Sequence, residues 1–120
     1  MEVWASFPEY CPNAKAVEMM HGFHDAIGEN DVMAYLVMMA PRLYHLHRVL
    51  KPTGSLYLHC DPTASSYLRL ILDCLFGAKQ FGNEIIWQRT NAKGLASTRL
   101  ARNHDVIYRY TKSEIGRAHV

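Results

Sequence analysis

The amino-acid sequence predicts an α/β domain of about three strands with flanking helices. Two observations lead to this class. Apolar residues recur at every third or fourth position over long stretches on both sides of residues 55–60, which is the spacing of amphipathic helices. Three shorter runs, at 55–60, 83–89 and 104–111, are rich in apolar, β-branched and aromatic residues and are typical of strands. Because a helical stretch separates the first two strands, we expect a right-handed crossover to join them.

The first half of the chain is predicted to be helical after an irregular start. Residues 4–13 hold two prolines and no clear period, so we expect a connector there. Residues 14–28 have the pattern of a weak helix that ends at a glycine. A stronger helix follows, with Asn30 or Asp31 as its N-cap, and Pro41 should kink it or leave one carbonyl unpaired.

The second half is predicted to alternate strands with one helix. Ser55–Cys60 is a short apolar run after a turn, and we interpret it as a buried parallel strand. Asp61 as N-cap and Pro62 as the first helical residue begin the next helix. After the second strand, residues 90–103 are polar, basic and too long for a tight hairpin loop, and the third strand begins at His104.

The composition excludes several classes of protein. Hydrophobic residues make up 49% and charged residues 20%, which is close to the globular average and unlike a disordered chain. No apolar run reaches the roughly 18 residues of a membrane span, and the N-terminus lacks the pattern of a secretion signal. The three cysteines are widely spaced without a C-x-x-C pair, so we expect a reducing, cytoplasmic location with neither a disulfide framework nor a zinc site.

Positive charge is concentrated in one segment. Between residues 89 and 112 there are six basic residues against one acidic residue, Asp105. Such a block is compatible with a polyanionic partner such as nucleic acid. A solvated basic loop explains the charge equally well, so the charge alone leaves both interpretations open.

Several runs together carry a family resemblance. The run R-V-L-K-P-T-G-S-L-Y-L at 48–58 resembles the segment before the fifth strand of class I S-adenosylmethionine-dependent methyltransferases. The later runs have the order and spacing found in bacterial and phage DNA amino-methyltransferases of the circularly permuted beta class. They are L-H-C-D-P-T-A-S at 58–65, N-E-I-I-W-Q-R at 83–89, R-N-H-D-V-I at 102–107 and Y-T-K-S at 110–113.

The resemblance covers residues 30–113 and implies a fold and an activity. The fold is part of a class I methyltransferase (Rossmann-like) three-layer sheet, with the last strand antiparallel. The activity is transfer of a methyl group from S-adenosylmethionine to the exocyclic amine of adenine or cytosine in DNA, in an enzyme of the restriction-modification type. The implied partners are therefore DNA and this cofactor, and the sequence pattern itself leads us to expect no membrane and no metal.

The motifs that perform catalysis in this family do not occur in the chain. Its members need an Asp-Pro-Pro-Tyr or Asp-Pro-Pro-Phe tetrapeptide, whose polar groups accept hydrogen bonds from the target amine. Neither that tetrapeptide nor the glycine-rich cofactor loop is present, so the chain alone should not methylate DNA. His59 and Asp61 are weak catalytic candidates at the end of a strand. The alternatives are that both line the rim of a cofactor or base pocket, or that Asp61 is only a helix cap.

Further site residues are implied by the family's pattern. Trp87 ends the second strand, where the family forms the pocket for the flipped base, although ordinary sheet packing also explains a tryptophan there. Basic residues in and beside the long loop are candidates for phosphate contacts, with a solvated loop as the alternative. These basic residues are Arg89, Lys93, Arg99 and Arg102.

The chain is divided into three parts on these grounds. We expect residues 1–29 to be an irregular and helical lead-in, residues 30–113 to be the central part of a methyltransferase catalytic domain, and residues 114–120 to be foreign. The last seven residues can be back-translated into the start of a common sequencing adapter, so we expect an adapter-derived tail. Two other functions stay open: a non-catalytic DNA-binding fragment that uses the basic 89–109 region, and a methyltransferase that acts on a small molecule.

Overall fold

The first half of the chain is helical and the sheet lies in the second half. The computed structural model describes residues 2–88 and 104–113. The helices are α1 (Glu2–Ala5), α2 (Phe7–Tyr10), α3 (Ala14–Ile27), α4 (Asp31–Val49) and α5 (Pro62–Phe76), and a 3₁₀ turn spans Ala78–Gln80. The strands are β1 (Ser55–Cys60), β2 (Phe81–Gln88) and β3 (His104–Thr111). The expected mixture of helices and strands is therefore confirmed.

The opening segment is helical, so the expectation of an irregular connector was wrong. Phe7 and Cys11 are buried, and the indole of Trp4 stacks on the imidazole of His24 with 4.7 Å between ring centroids. This segment thus anchors itself on α3 through its aromatic residues. The sequence pattern did not show it because α1 and α2 are four residues each, too short to display a helical period.

Side-chain caps explain where the long helices begin. The Asn30 side chain accepts a hydrogen bond from the Met33 amide at 2.9 Å, which makes Asn30 the N-cap of α4. The Asp61 carboxylate does the same for the Thr63 amide at 3.0 Å at the start of α5. Pro41 lies inside α4, and the helix continues through it to Val49.

The sheet has the strand order β1-β3-β2, and β3 is antiparallel to both neighbours. The antiparallel last strand is thus confirmed. β1 and β2 run in the same direction, as a crossover through α5 requires, but β3 lies between them. The interpretation of β1 as a buried parallel strand was wrong: its partner is antiparallel, and Tyr57 in its middle is 61% exposed.

Helix α5 packs on one face of the sheet. Side chains alternate between the two faces of a strand, and those of Val106, Tyr108 and Tyr110 are buried on the side of α5. The Tyr110 hydroxyl donates to the Asp73 carboxylate in α5. Helices α3 and α4 pack in turn against α5, so the described residues form a helical layer on a sheet. The expected third layer stays a prediction.

Candidate functional site

A cavity of about 380 Å³ opens at the carboxyl end of β1. The chain leaves the strand at Cys60 and enters α5, and the first turn of α4 reaches the same place. Crevices at the carboxyl ends of strands are where ligands bind in α/β sheets. The residues that line the cavity come from these three elements: Asp31, Val32, Tyr35, His59, Cys60, Asp61, Thr63 and Ala64. Both weak catalytic candidates from the sequence, His59 and Asp61, are among them.

Asp61 has a structural task as well as a place in the cavity. One oxygen of its carboxylate accepts the Thr63 amide at 3.0 Å, and this bond caps α5. A carboxylate at a helix N-terminus also interacts favourably with the positive end of the helix dipole. The helix-cap interpretation of Asp61 is therefore confirmed, and its position on the cavity wall makes a rim role compatible with it.

His59 contacts an aspartate that the sequence pattern did not place beside it. Its Nε2 lies 3.0 Å from Oδ2 of Asp105, on the neighbouring strand β3. The imidazole is 60% exposed, whereas the carboxylate is only 16% exposed. The two residues are 46 positions apart, so only the register of β1 against β3 could have revealed the pair.

Trp87 lies in the same row of side chains. It is the partner of Asp105 in the β2–β3 register, and its indole is 58% exposed. Trp87 lies directly opposite Asp105, and His59, whose register partner is Ile107, reaches Asp105 diagonally on the same face of the sheet. We call these three residues the edge row. It runs along the end of the sheet where the cavity opens.

The groups in and beside the cavity are rich in hydrogen-bond acceptors. Burial, followed by the charges of Asp61, Asp105 and Glu84, raises the pKa of the Cys60 thiol to about 11. Burial, followed by the charges of Cys60 and Asp61, also raises the pKa of the Tyr35 hydroxyl. Both groups are protonated at neutral pH, so Cys60 is not a nucleophile here. The aspartate carboxylates suit a ligand that carries amino or hydroxyl donors.

A profile of the DNA methylase family matches residues 10–118. The chain belongs to the DNA methylase family. The resemblance seen in the sequence is thereby confirmed at the level of the family, whereas the permuted motif order and the target base stay predictions. The strand order and the cavity belong to this methylase segment, since both lie within the matched residues.

The curated relatives of this DNA methylase chain are much longer proteins. The type II methyltransferase M.KpnI of Klebsiella pneumoniae is 32% identical over 88% of the chain and 24% of its own length. The EcoP15I Mod subunit of Escherichia coli, a type III restriction-modification enzyme, is 28% identical over 72% of the chain and 13% of its own length. The type II methyltransferase M.EcaI of Enterobacter cloacae is 29% identical over 78% of the chain and 20% of its own length. The chain thus spans a quarter or less of these relatives.

Some predicted features of the methylase chain lie outside the described residues. The four predicted phosphate-binding residues are among them: Arg89, Lys93, Arg99 and Arg102. Residues 114–120, the expected foreign tail, are also outside. Within 2–88 and 104–113, no three His, Cys, Asp or Glu side chains are grouped so that they could hold a metal ion. No helix in those ranges is both long and apolar enough to cross a membrane.

Proposed function

We propose that this chain is the central part of the catalytic domain of a site-specific cytoplasmic DNA methyltransferase. The reaction is transfer of a methyl group from S-adenosylmethionine to the exocyclic amine of adenine or cytosine in DNA. The observation that carries the proposal is the match to the DNA methylase family over residues 10–118. It is supported by relatives that are named as type II methyltransferases and as Mod subunits of type III restriction-modification enzymes.

The lining of the cavity at the end of β1 suits the methyl donor of such a reaction. S-adenosylmethionine, when bound, supplies a methyl group on a positively charged sulfur. The carboxylates of Asp31 and Asp61 line the cavity and favour positive charge, while Val32 and Ala64 offer apolar contact. These residues fit the cofactor's ammonium and sulfonium groups as well as the amino group of a base. We propose that His59 and Asp61 form the rim of this pocket and orient what enters it.

The edge row suits the target base. A methyltransferase reaches the amine only after the nucleotide has turned out of the duplex, and the lost stacking must be replaced. Trp87 offers an indole that is 58% exposed, beside the His59–Asp105 pair. We propose that the base stacks on Trp87 and that the pair accepts or donates hydrogen bonds at its edge. Basic residues of the adjacent segment would hold the phosphates: Arg89, Lys93, Arg99 and Arg102.

The chain by itself should be inactive. Its 120 residues contain neither an Asp-Pro-Pro-Tyr/Phe tetrapeptide nor a glycine-rich cofactor loop, the motifs that the family resemblance calls for. The residues described above bind and orient, and the acceptors for the amine must come from another part of the polypeptide. The proposal is therefore tested best when that other part is supplied.

A chimera with M.KpnI supplies the part of the polypeptide that holds the catalytic and cofactor motifs. Residues 10–113 replace the aligned segment of M.KpnI, and the purified chimera is assayed for transfer of labelled methyl groups to DNA. We expect the chimera to methylate DNA and the isolated chain to give no signal. Trp87→Ala should lower kcat/KM by about 5- to 150-fold, because stacking of a base on an aromatic ring contributes about 1–3 kcal/mol.

Ile86→Ala is the matched control for Trp87→Ala. Ile86 is 57% exposed, close to the 58% of Trp87, but it is the next residue along β2 and points to the other face of the sheet. We expect its kcat/KM to stay within about twofold of the unmodified chimera, since it lies outside the edge row. A folded chimera that binds DNA without methylating it would contradict the proposal. That result would favour the alternative of a DNA-binding fragment.

A further inference from the structure

The imidazole of His59 has one ring nitrogen bonded and the other available to a ligand. Its Nε2 lies 3.0 Å from Oδ2 of Asp105, whereas its Nδ1 makes no hydrogen bond to any residue within 2–88 and 104–113. The ring is 60% exposed and lines the cavity at the end of β1. A molecule that enters the cavity therefore meets a histidine with one unused nitrogen.

Asp105 is held more firmly than the histidine that it contacts. It lies on β3, the central strand, which is hydrogen-bonded on both sides, and its side chain is only 16% exposed. His59 lies on β1, at the edge of the described sheet, and reaches Asp105 diagonally. A well-packed group on a rigid element can fix the orientation of a more exposed side chain. We therefore take Asp105 as the group that sets the position of the His59 ring.

The chemistry of the partner also decides which ring nitrogen carries the proton. An ionised carboxylate accepts hydrogen bonds and has no proton to donate, so a neutral imidazole bonded to it is protonated on the bonded nitrogen. In His59 that nitrogen is Nε2, and the lone pair is left on Nδ1. A ring nitrogen with a lone pair accepts a hydrogen bond from an N–H or O–H group.

We propose that Asp105 is a positioning residue that acts through His59, and that Nδ1 of His59 accepts a hydrogen bond from a nucleoside in the cavity. The donor is either the amino group of the base or a hydroxyl of the sugar. The inference rests on the proposed function, in which the target base and the cofactor both bring a nucleoside to this edge of the sheet. Trp87, opposite Asp105 in the register, stays exposed for stacking.

NMR of the 120-residue chain with ¹⁵N-labelled histidine shows where the imidazole proton lies. The His59 signals are those that disappear in His59→Phe. At pH 8 we expect a proton on Nε2 and a lone pair on Nδ1. Asp105→Asn, whose amide can donate as well as accept, should move part of the proton to Nδ1. A lone pair on Nε2, or protons on both nitrogens, in the unmodified chain would overturn the inference.

Three small molecules identify the donor. Adenosine carries both kinds of donor, 9-methyladenine carries only the amino group, and purine riboside carries only the sugar hydroxyls. If the base is the donor, adenosine and 9-methyladenine should shift the Nδ1 signal and bind about fivefold more tightly than purine riboside. If the sugar is the donor, purine riboside should replace 9-methyladenine in this pattern. An equal response to all three, or no shift of Nδ1 by any of them, would overturn the inference.

Substitutions test whether the pair makes the distinction. Asp105→Asn and His59→Phe should each weaken the preference at least threefold. Glu84→Gln is the matched control, because it removes an exposed carboxylate of β2 that is not bonded to His59, and the preference should stay within about twofold. If Asp105→Asn does not fold, His59→Phe still tests the acceptor, since an exposed side chain tolerates the change. A preference that survives at full strength in every folded variant contradicts the inference.

The M.KpnI chimera separates this inference from the proposed function. With a base donor, Asp105→Asn and His59→Phe should raise KM for DNA several-fold more than KM for S-adenosylmethionine. With a sugar donor from the cofactor, the order of the two effects should be reversed. An unmodified chimera that does not methylate DNA would refute the proposed function, and the NMR results on the chain would then decide this inference by themselves. An active chimera in which neither variant changes either KM would refute this inference alone.

Discussion

The hydroxyl of Tyr110 joins the sheet to helix α5, and its removal should measurably destabilise the protein. Tyr110 is fully buried on the central strand β3, and its hydroxyl donates to the Asp73 carboxylate. Burial and this hydrogen bond both raise the pKa of the Tyr110 hydroxyl, so it stays a donor throughout the ordinary pH range. The ring itself packs on Phe76 and Phe81 at 5.5 Å between centroids, and a phenylalanine keeps both contacts.

The magnitude follows from what remains after the change. A hydrogen bond to a charged group contributes about 1.5–3 kcal/mol. The loss of unfolding free energy in Tyr110→Phe should be at the low end of this range, about 1.5 kcal/mol. The reason is that the Asp73 carboxylate keeps the Arg69 Nε at 3.5 Å and is 24% exposed to water. The carboxylate is therefore not left buried without a partner.

Urea denaturation followed by circular dichroism measures the loss, and Tyr44→Phe is the matched control. Tyr44 is half-buried on α4, and its hydroxyl makes no hydrogen bond within the described part of the chain, so we expect a change below about 0.5 kcal/mol. In an Asp73→Ala background, Tyr110→Phe should cost less, because only the Arg69 carbonyl oxygen, 3.2 Å from the hydroxyl, remains as an acceptor. A Tyr110→Phe loss no greater than that of Tyr44→Phe, or an equal loss in both backgrounds, would refute the reasoning.

Other consequences of the structure can be tested on the same chain. Asp61→Ala should cost about 1 kcal/mol in urea denaturation through loss of the α5 cap, while Asp61→Ser should cost only a fraction of this. Cys60, with its buried thiol and a pKa near 11, should react with iodoacetamide at pH 8 more slowly than the half-buried Cys74, as mass spectrometry of the labelled peptides would show. Burial and the charge of Lys112 lower the pKa of His47, so the folded state resists its protonation. Stability should therefore fall as pH drops below about 6.5 towards the folded-state pKa, and His47→Gln should flatten this part of the pH–stability profile; an unchanged slope would contradict the assignment.

Local signals in the sequence predicted the long elements well. Asn30 and Asp61 act as N-caps because a short polar side chain before an apolar period can satisfy the amides of the first turn. Gly28 and Gly77 follow α3 and α5 with positive φ, where glycine is favoured. Such signals depend on residues within a few positions of each other. For that reason they can be recognised without knowledge of the rest of the fold.

Contacts between distant segments could not be predicted in this way. The burial of Phe7 and Cys11 depends on where α3 and α4 lie, and nothing within residues 4–13 specifies it. The exposure of β1 depends on its neighbours in the sheet, so an apolar run alone could not distinguish a half-exposed strand from a buried one. In the sequence, Asp105 stands out as the one acid in a basic segment and as a member of the run R-N-H-D-V-I at 102–107. Its partnership with His59 requires the register of two strands.

The position of β3 between β1 and β2 is what brings the candidate site together. Because β3 is antiparallel to both neighbours, its first residues lie beside the last residues of β1 and β2. Asp105, near the start of β3, then contacts His59 and lies opposite Trp87 at the same edge of the sheet. If β1 and β2 were adjacent, as a simple crossover suggests, His59 and Trp87 could still meet, but without the carboxylate between them. The arrangement of the proposed base-binding edge thus depends on strand order, which no motif within a single strand specifies.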